Sequence, residues 1–162
     1  MKKHFQEKFF DFLVDKGVEN FVGVPDSTLK QFINLGIKKK KIIISTREEE
    51  AIGICAGMAL SNSKSLVFMQ NAGFANSLST ITSLIQLYEI PIILLIGWRG
   101  YLKKDAPEHK KIGKIQPKLI KDLGLQSKIL SEKNWKESST WALKMNENNK
   151  SCALIIRREF VD

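Results

Sequence analysis

The chain has 162 residues, 43% of them hydrophobic and 27% charged, the proportions of an ordinary soluble globular protein with room for one sizeable core. Its formal net charge of +9 comes from scattered lysines and one run, Lys38-Lys39-Lys40-Lys41. A nucleic-acid reader would pair such charge with exposed aromatics, whereas Phe5, Phe9, Phe10 and Phe12 have helix-face spacing; nucleic-acid binding is therefore not expected, and the charge suits attraction of an anionic substrate.

The first predicted element is an amphipathic helix over 4–16, closed by Gly17. Glu7, Lys8 and Asp11 within it rule out a signal peptide behind Met1-Lys2-Lys3, so a cytoplasmic location is expected. His4 is assigned no role. A short strand over 19–24 runs into Pro25-Asp26-Ser27, where Asp26 or Ser27 can cap a helix reaching about Leu35, with Gly36 at its end. The lysine run then reads as a solvated loop before a strand over 42–45. A helix over 47–60, a strand over 65–70 and a helix over 73–88 follow. Residues 92–97 form the most apolar strand, and so the one expected at the sheet centre; the whole apolar run, 90–97, contains a proline and is too short to span a membrane. A polar loop over 98–113 leads to a helix over 117–123 ended by Gly124. A strand over 126–130, a helix over 132–146 and a strand over 152–156 complete the chain.

Apolar strands alternating with helices imply one doubly wound α/β domain over 1–162 with a parallel sheet covered on both faces. Cys55 and Cys152, far apart in apolar segments, read as buried thiols, and no Cys/His spacing suggests a metal site. In this fold class ligands sit beyond strand C-termini. Four segments meet that condition: Val24 to Ser27, Ser45 to Glu50, Gln70 to Gly73, and the loop opening Gly97-Trp98-Arg99-Gly100.

Thr46-Arg47-Glu48-Glu49-Glu50 opens a helix whose remainder is apolar on every face and rich in Gly and Ala. Such a helix is expected to be buried against neighbouring backbone, with at least one of the glutamates at the edge of a buried environment that raises its pKa. Spacing alone leaves open which glutamate is functional, because Thr46-x-x-Glu49 and Ser45-x-x-Glu48 each fit a capping box.

Glu48-x-x-Ala51 followed by Cys55-Ala56-Gly57 resembles the glutamate-helix motif in the pyrimidine-binding domain of thiamine diphosphate enzymes. The resemblance extends, in order, through Gly23-Val24-Pro25-Asp26-Ser27, Met69-Gln70-Asn71-Ala72-Gly73-Phe74-Ala75-Asn76, and Ile90-Pro91 through Gly100, roughly the first 125 residues. Within the family it is most similar to the decarboxylases of 3-sulfopyruvate and 3-phosphonopyruvate. It implies a 2-keto acid decarboxylase using thiamine diphosphate and Mg2+, sulfopyruvate being the first substrate and phosphonopyruvate the second; a non-catalytic binding relative is the alternative of another class. Glu48 would activate the cofactor's aminopyrimidine, with Pro25, Asn71 and Gly73 beside the cofactor. Asp26, Ser27, Gln70, Asn71, Arg99 and His109 would face the substrate, Arg99 offering its planar fork to the anion and His109 serving as a loop-borne proton-transfer group. The single-chain enzymes of the family carry a Gly-Asp-Gly motif that is missing here, so the diphosphate and Mg2+ are expected on a partner beta subunit in a heterotetramer or larger assembly, with the Glu48 helix near the subunit contact.

Overall fold

The computed structural model describes residues 2–102 and 105–157; the side chain of His4 and residues 103–104 of the predicted loop lie outside the described set. Six strands form one parallel sheet: β1 (Asn20–Gly23), β2 (Ile42–Ile44), β3 (Ser65–Gln70), β4 (Ile93–Trp98), β5 (Gln126–Ile129) and β6 (Cys152–Arg157), in the order β2-β1-β3-β4-β6-β5. The strand predicted to be central, β4, lies between β3 and β6 and is buried at every position.

Period-two alternation sends the two sides of each strand into different cores. Phe21, Leu66, Phe68, Ile93, Leu95 and Leu154 join the core under α1 (Lys2–Asp15), α2 (Lys30–Lys38) and α7 (Trp135–Glu147). Val22, Val67, Met69, Leu94, Ile96 and Ile155 join the core under α3 (Glu48–Leu60), α4 (Asn71–Asn76) and α6 (Pro107–Asp122). Phe5, Phe9 and Phe10 are buried, while Phe12 is half-buried beside Trp135.

Three predicted boundaries move, each for a packing reason. Gly36 does not end its helix, because α2 runs on to Lys38. A methyl group on Gly36 would meet Ile42 Cδ1 at 2.5 Å and a Phe10 ring carbon at 2.9 Å, so this glycine lets the helix lie close to its neighbours. The helix after β3 is not continuous: α4 gives way to a short α5 (Leu78–Thr80) and a π-helical segment, Ile81–Gln86. The hydroxyls of Ser77, Thr82 and Ser83 donate back to carbonyls of the preceding turn and loosen the regular ladder.

The largest change is α6. The predicted loop over 98–113 ends early, because the helix starts with Pro107 at its first position and continues through Pro117. Pro117 has no N–H for the carbonyl of Gly113, four residues earlier, and the indole N–H of Trp98 donates to that carbonyl instead at 2.9 Å. Gly113 itself lies on the backbone of Arg99 and Gly100: a methyl group there would meet Arg99 O at 2.5 Å. The start of α6 is thereby packed directly onto the end of β4.

Candidate functional site

β1 leads through α2 to the edge strand β2, while β3 leads through the helices on the opposite face to β4. The chain therefore turns opposite ways as it leaves β1 and β3, and the switch point opens a crevice beyond these two strands. The crevice is bridged at its floor by Gln70 Nε2, at the end of β3, which donates to Asp26 Oδ1 at 3.3 Å.

Asp26 does not cap a helix, contrary to the local grammar of the sequence. No side-chain hydrogen bond from it reaches the following 3-10 turn, Ser27–Leu29, nor does Leu29 cap α2. Gln6 of α1 takes that place, its Oε1 accepting from the N–H groups of Gln31 and Phe32 at 3.1 and 2.9 Å. The Asp26 side chain lies instead over the α-carbon of Gly97, 5% exposed, and its Oδ2 is buried without a hydrogen-bond partner. A buried carboxylate oxygen left this way carries a desolvation cost that a bound donor would relieve.

A parallel exchange occurs at α3. Neither predicted capping box forms; the Glu50 carboxylate accepts from both the backbone N–H and the hydroxyl of Thr46, each at 2.7 Å. Those bonds, the hydroxyl's first, hold the Glu50 carboxyl below its ordinary pKa. Glu48 is thus left out of the capping, half-buried, with its carboxylate lying against the α-carbon of Gly73 at the start of α4. The two sides of the crevice thus carry a carboxylate that caps nothing and a buried carboxylate oxygen without a partner among the described residues.

The expectation that α3 is buried on every face is corrected. Ala51, Ile52, Cys55 and Ala56 are buried, but Gly53 and Gly57 are exposed with no atom of the described residues within 4 Å of an added methyl group, and Leu60 is 73% exposed. The close packing that this composition demands is not met among the described residues.

Arg99 is not an open anion receptor. Its Nη2 meets Asp105 Oδ1 at 2.7 Å, and its Nε lies 3.2 and 3.1 Å from the two carboxylate oxygens, a fork-on-carboxylate pair. Asp105 also accepts from the N–H groups of Gly100 and Ala106. Hydrogen bonding to Arg99 holds the Asp105 carboxyl well below the usual carboxylate range, and the same bond moves the guanidinium further up. What Arg99 presents toward β1 is Nη1, which donates to Ser27 Oγ at 3.0 Å.

Asn71 is buried, and its amide donates to the Arg99 carbonyl at 2.9 Å and accepts from the Arg99 N–H at 3.3 Å, tying the end of β3 to that of β4. Pro25 and Ser27 are exposed at the rim. His109 is not on a loop, as predicted; it is half-buried in the first turn of α6, its carbonyl against Gly100, whose φ of 75° makes room for it. The structure therefore joins Asp26 with Gln70, Ser27 with Arg99, Asn71 with Arg99, and Glu48 with Gly73. Sequence reasoning missed Gln6 and Asp105. Gln6 had a signal, a polar residue on the buried stripe of Phe5, Phe9, Phe10 and Leu13; Asp105 had none.

A doubly wound parallel sheet with a free carboxylate at its switch-point crevice defines a cofactor-binding α/β domain. The family described as thiamine pyrophosphate enzyme, N-terminal TPP binding domain, matches residues 3–121, and the chain belongs to that family. It is 39% identical over 113 residues to the sulfopyruvate decarboxylase subunit alpha of Methanocaldococcus jannaschii, covering 68% of this chain and 67% of that one. It is 33% identical over 111 residues to the phosphonopyruvate decarboxylase of Streptomyces viridochromogenes, covering 67% of this chain but 28% of that one. The benzoylformate decarboxylase of Polynucleobacter necessarius superposes on 97% of this chain with a TM-score of 0.77 at 17% identity, a likeness of fold, and the chain covers 30% of that enzyme's length. No described helix is long and apolar enough to cross a membrane.

Proposed function

We propose that this chain is the alpha subunit of a thiamine diphosphate-dependent decarboxylase that converts 3-sulfopyruvate to sulfoacetaldehyde and carbon dioxide in the cytoplasm. The observation that carries the reading is Glu48, released from capping by Glu50 and laid against Gly73 in the crevice of a chain that resembles sulfopyruvate decarboxylase alpha subunits. The residues fit the cofactor: a half-buried carboxylate without a hydrogen bond to the described residues, and a glycine floor where any side chain would displace it. When bound, thiamine diphosphate supplies the electron sink for loss of carbon dioxide.

The chain's own residues supply the rest. Glu48 would hold the cofactor's aminopyrimidine through a proton at its carboxylate, with Pro25, Asn71 and Gly73 as the further residues that would hold the cofactor. Asp26 and Gln70 line the substrate side of the crevice, where Gln70 is the donor, and His109 moves a proton from the α6 side. The Nη1 edge of Arg99 and the Ser27 hydroxyl receive the anion at C3, so recognition rests on directed hydrogen bonds more than on net charge, since Asp105 already neutralises the guanidinium. Phosphonopyruvate is the second substrate reading, supported by the resemblance to phosphonopyruvate decarboxylase. The intact Glu48 argues against a non-catalytic relative.

A beta subunit completes the site by holding the diphosphate and Mg2+, in a heterotetramer or larger assembly. The exposed stripe of Gly53, Gly57 and Leu60 on α3 is the face it takes, because it offers a smooth, apolar surface on the helix that Glu48 opens. Co-expression with the beta subunit and measurement of carbon dioxide release from both acids tests the reading. Cofactor binding without turnover of either acid defeats the substrate assignment; full activity of this chain alone defeats the partner.

A further inference from the structure

The junction carrying Pro25, Asp26 and Ser27 is held from a distance. Gln6, on α1, is 1% exposed, and its amide makes three hydrogen bonds across 22 to 26 residues of sequence. Its Nε2 donates to the Thr28 carbonyl at 2.9 Å, while Oε1 takes two of the N–H groups that the first turn of any helix leaves unpaired, those of Gln31 and Phe32. The segment anchored in this way runs directly on from Asp26 and Ser27, whose side chains meet Gln70 and Arg99.

We infer that Gln6 is a positioning residue for the decarboxylation: by capping α2 from α1 it keeps the Asp26 carboxylate and the Ser27 hydroxyl facing the crevice. This rests on the function proposed above. Gln6 touches neither substrate nor cofactor; it acts through Thr28, Gln31 and Phe32. Without its amide, the Thr28 carbonyl and the first N–H groups of α2 lose their anchor to α1, and the junction that carries Asp26 and Ser27 shifts with them.

The test uses the chain paired with its beta subunit, with Gln6→Met, which keeps the length and removes every hydrogen bond, and Gln6→Glu, which keeps the acceptor where a helix N-terminus favours negative charge. Assayed well below the melting temperature of each variant, Gln6→Met lowers kcat by about 10- to 100-fold, the scale of a small misplacement of reacting groups. The KM for 3-sulfopyruvate rises in the same variant, because Ser27 faces that substrate, and Gln6→Glu, which keeps the acceptor but sets an oxygen against the Thr28 carbonyl, recovers only part of the rate. Amide hydrogen exchange over residues 25–33 accelerates in Gln6→Met and not elsewhere. A purely structural role would lower the melting temperature and leave kcat alone, and that result overturns the proposal. If the unmodified pair decarboxylates neither acid, the functional reading has failed by itself. The exchange measurement then reads the anchor alone: selective loosening of 25–33 upholds the hold of Gln6 on the junction, and unchanged exchange overturns it.

Discussion

The carboxylate of Glu48 and the α-carbon of Gly73 are in direct contact, so the first turn of α3 and the first turn of α4 meet at one point of the crevice. A methyl group at position 73 would occupy the space of the Glu48 side chain, whose far end is flexible and can swing away. Gly73→Ala is therefore expected to leave the melting temperature nearly unchanged while cutting decarboxylation, and Glu48→Gln, which preserves volume, to cut it by at least about 100-fold. Steady-state rates of the two-subunit enzyme beside thermal melts of each variant check both statements; a fully active Gly73→Ala would remove the contact from the mechanism.

Arg99 and Asp105 form a pair in which Asp105 is almost wholly enclosed and Arg99 is 12% exposed. Asp105→Asn leaves the guanidinium without its counter-charge and is expected to cost roughly 3 kcal/mol, the lower end of the range for breaking a buried pair. The pH dependence has a definite sign. Because the folded state holds the Asp105 carboxyl below the usual range, the unfolded chain takes up the proton first. The stabilisation is complete above about pH 4, near the ordinary carboxylate pKa, and is lost on further acidification. Urea melts at neutral pH and at progressively lower pH should show the wild type losing stability faster than Asp105→Asn.

Arg99→Lys separates anion recognition from support of the fold. Lysine lacks the planar fork that spans Asp105 and Ser27. The KM for 3-sulfopyruvate is expected to rise by about tenfold or more, the effect of losing one charge-assisted hydrogen bond, while any turnover of uncharged-tail 2-keto acids is spared. Equal losses for both kinds of acid would show that Arg99 only braces the crevice.

The end of β4 is predicted to be unforgiving. Gly113→Ala would press a methyl group onto Arg99 O at 2.5 Å and onto Gly100 at 2.6 Å, backbone atoms that cannot yield without moving α6 from the sheet. A loss of about 2–3 kcal/mol, typical of overpacking, is expected in denaturant melts. Trp98→Phe removes the donor to the Gly113 carbonyl together with part of a buried ring that packs on Tyr101 and Arg157, and a cost of at least about 1 kcal/mol is expected.

Burial pushes the Cys55 thiol up to about 11 and that of Cys152 up to about 12. The thiolate is the reactive form, so at pH 8 both cysteines hold their protons more tightly than an open cysteine would. Labelling with a thiol reagent is expected to be slow in the native protein and complete after denaturation. Fast labelling of one thiol in the native state would contradict its place in the core.

The parallel α/β fold, the central place of β4 and the crevice beyond the strand ends were legible in the sequence, because strand alternation and helix periodicity follow from side-chain direction alone. The order Pro25-Asp26-Ser27, Glu48, Gln70-Asn71-Gly73, Arg99 was legible for the same reason: each follows a strand. Only the tertiary structure decided what these side chains do. Local grammar offered Asp26 as a cap and left Glu48 and Glu49 as rivals, since capping preferences read only the neighbouring few residues. Gln6, from another helix, and Glu50, one residue further on, took the capping bonds and released Asp26 and Glu48 to the crevice. Asp105 closed the fork of Arg99 because α6 starts ten residues earlier than Pro117 suggested, once the indole of Trp98 replaces the hydrogen bond that proline cannot make. Hydrogen bonds between residues distant in sequence leave no periodicity to read, and here they determine which polar groups remain free for chemistry.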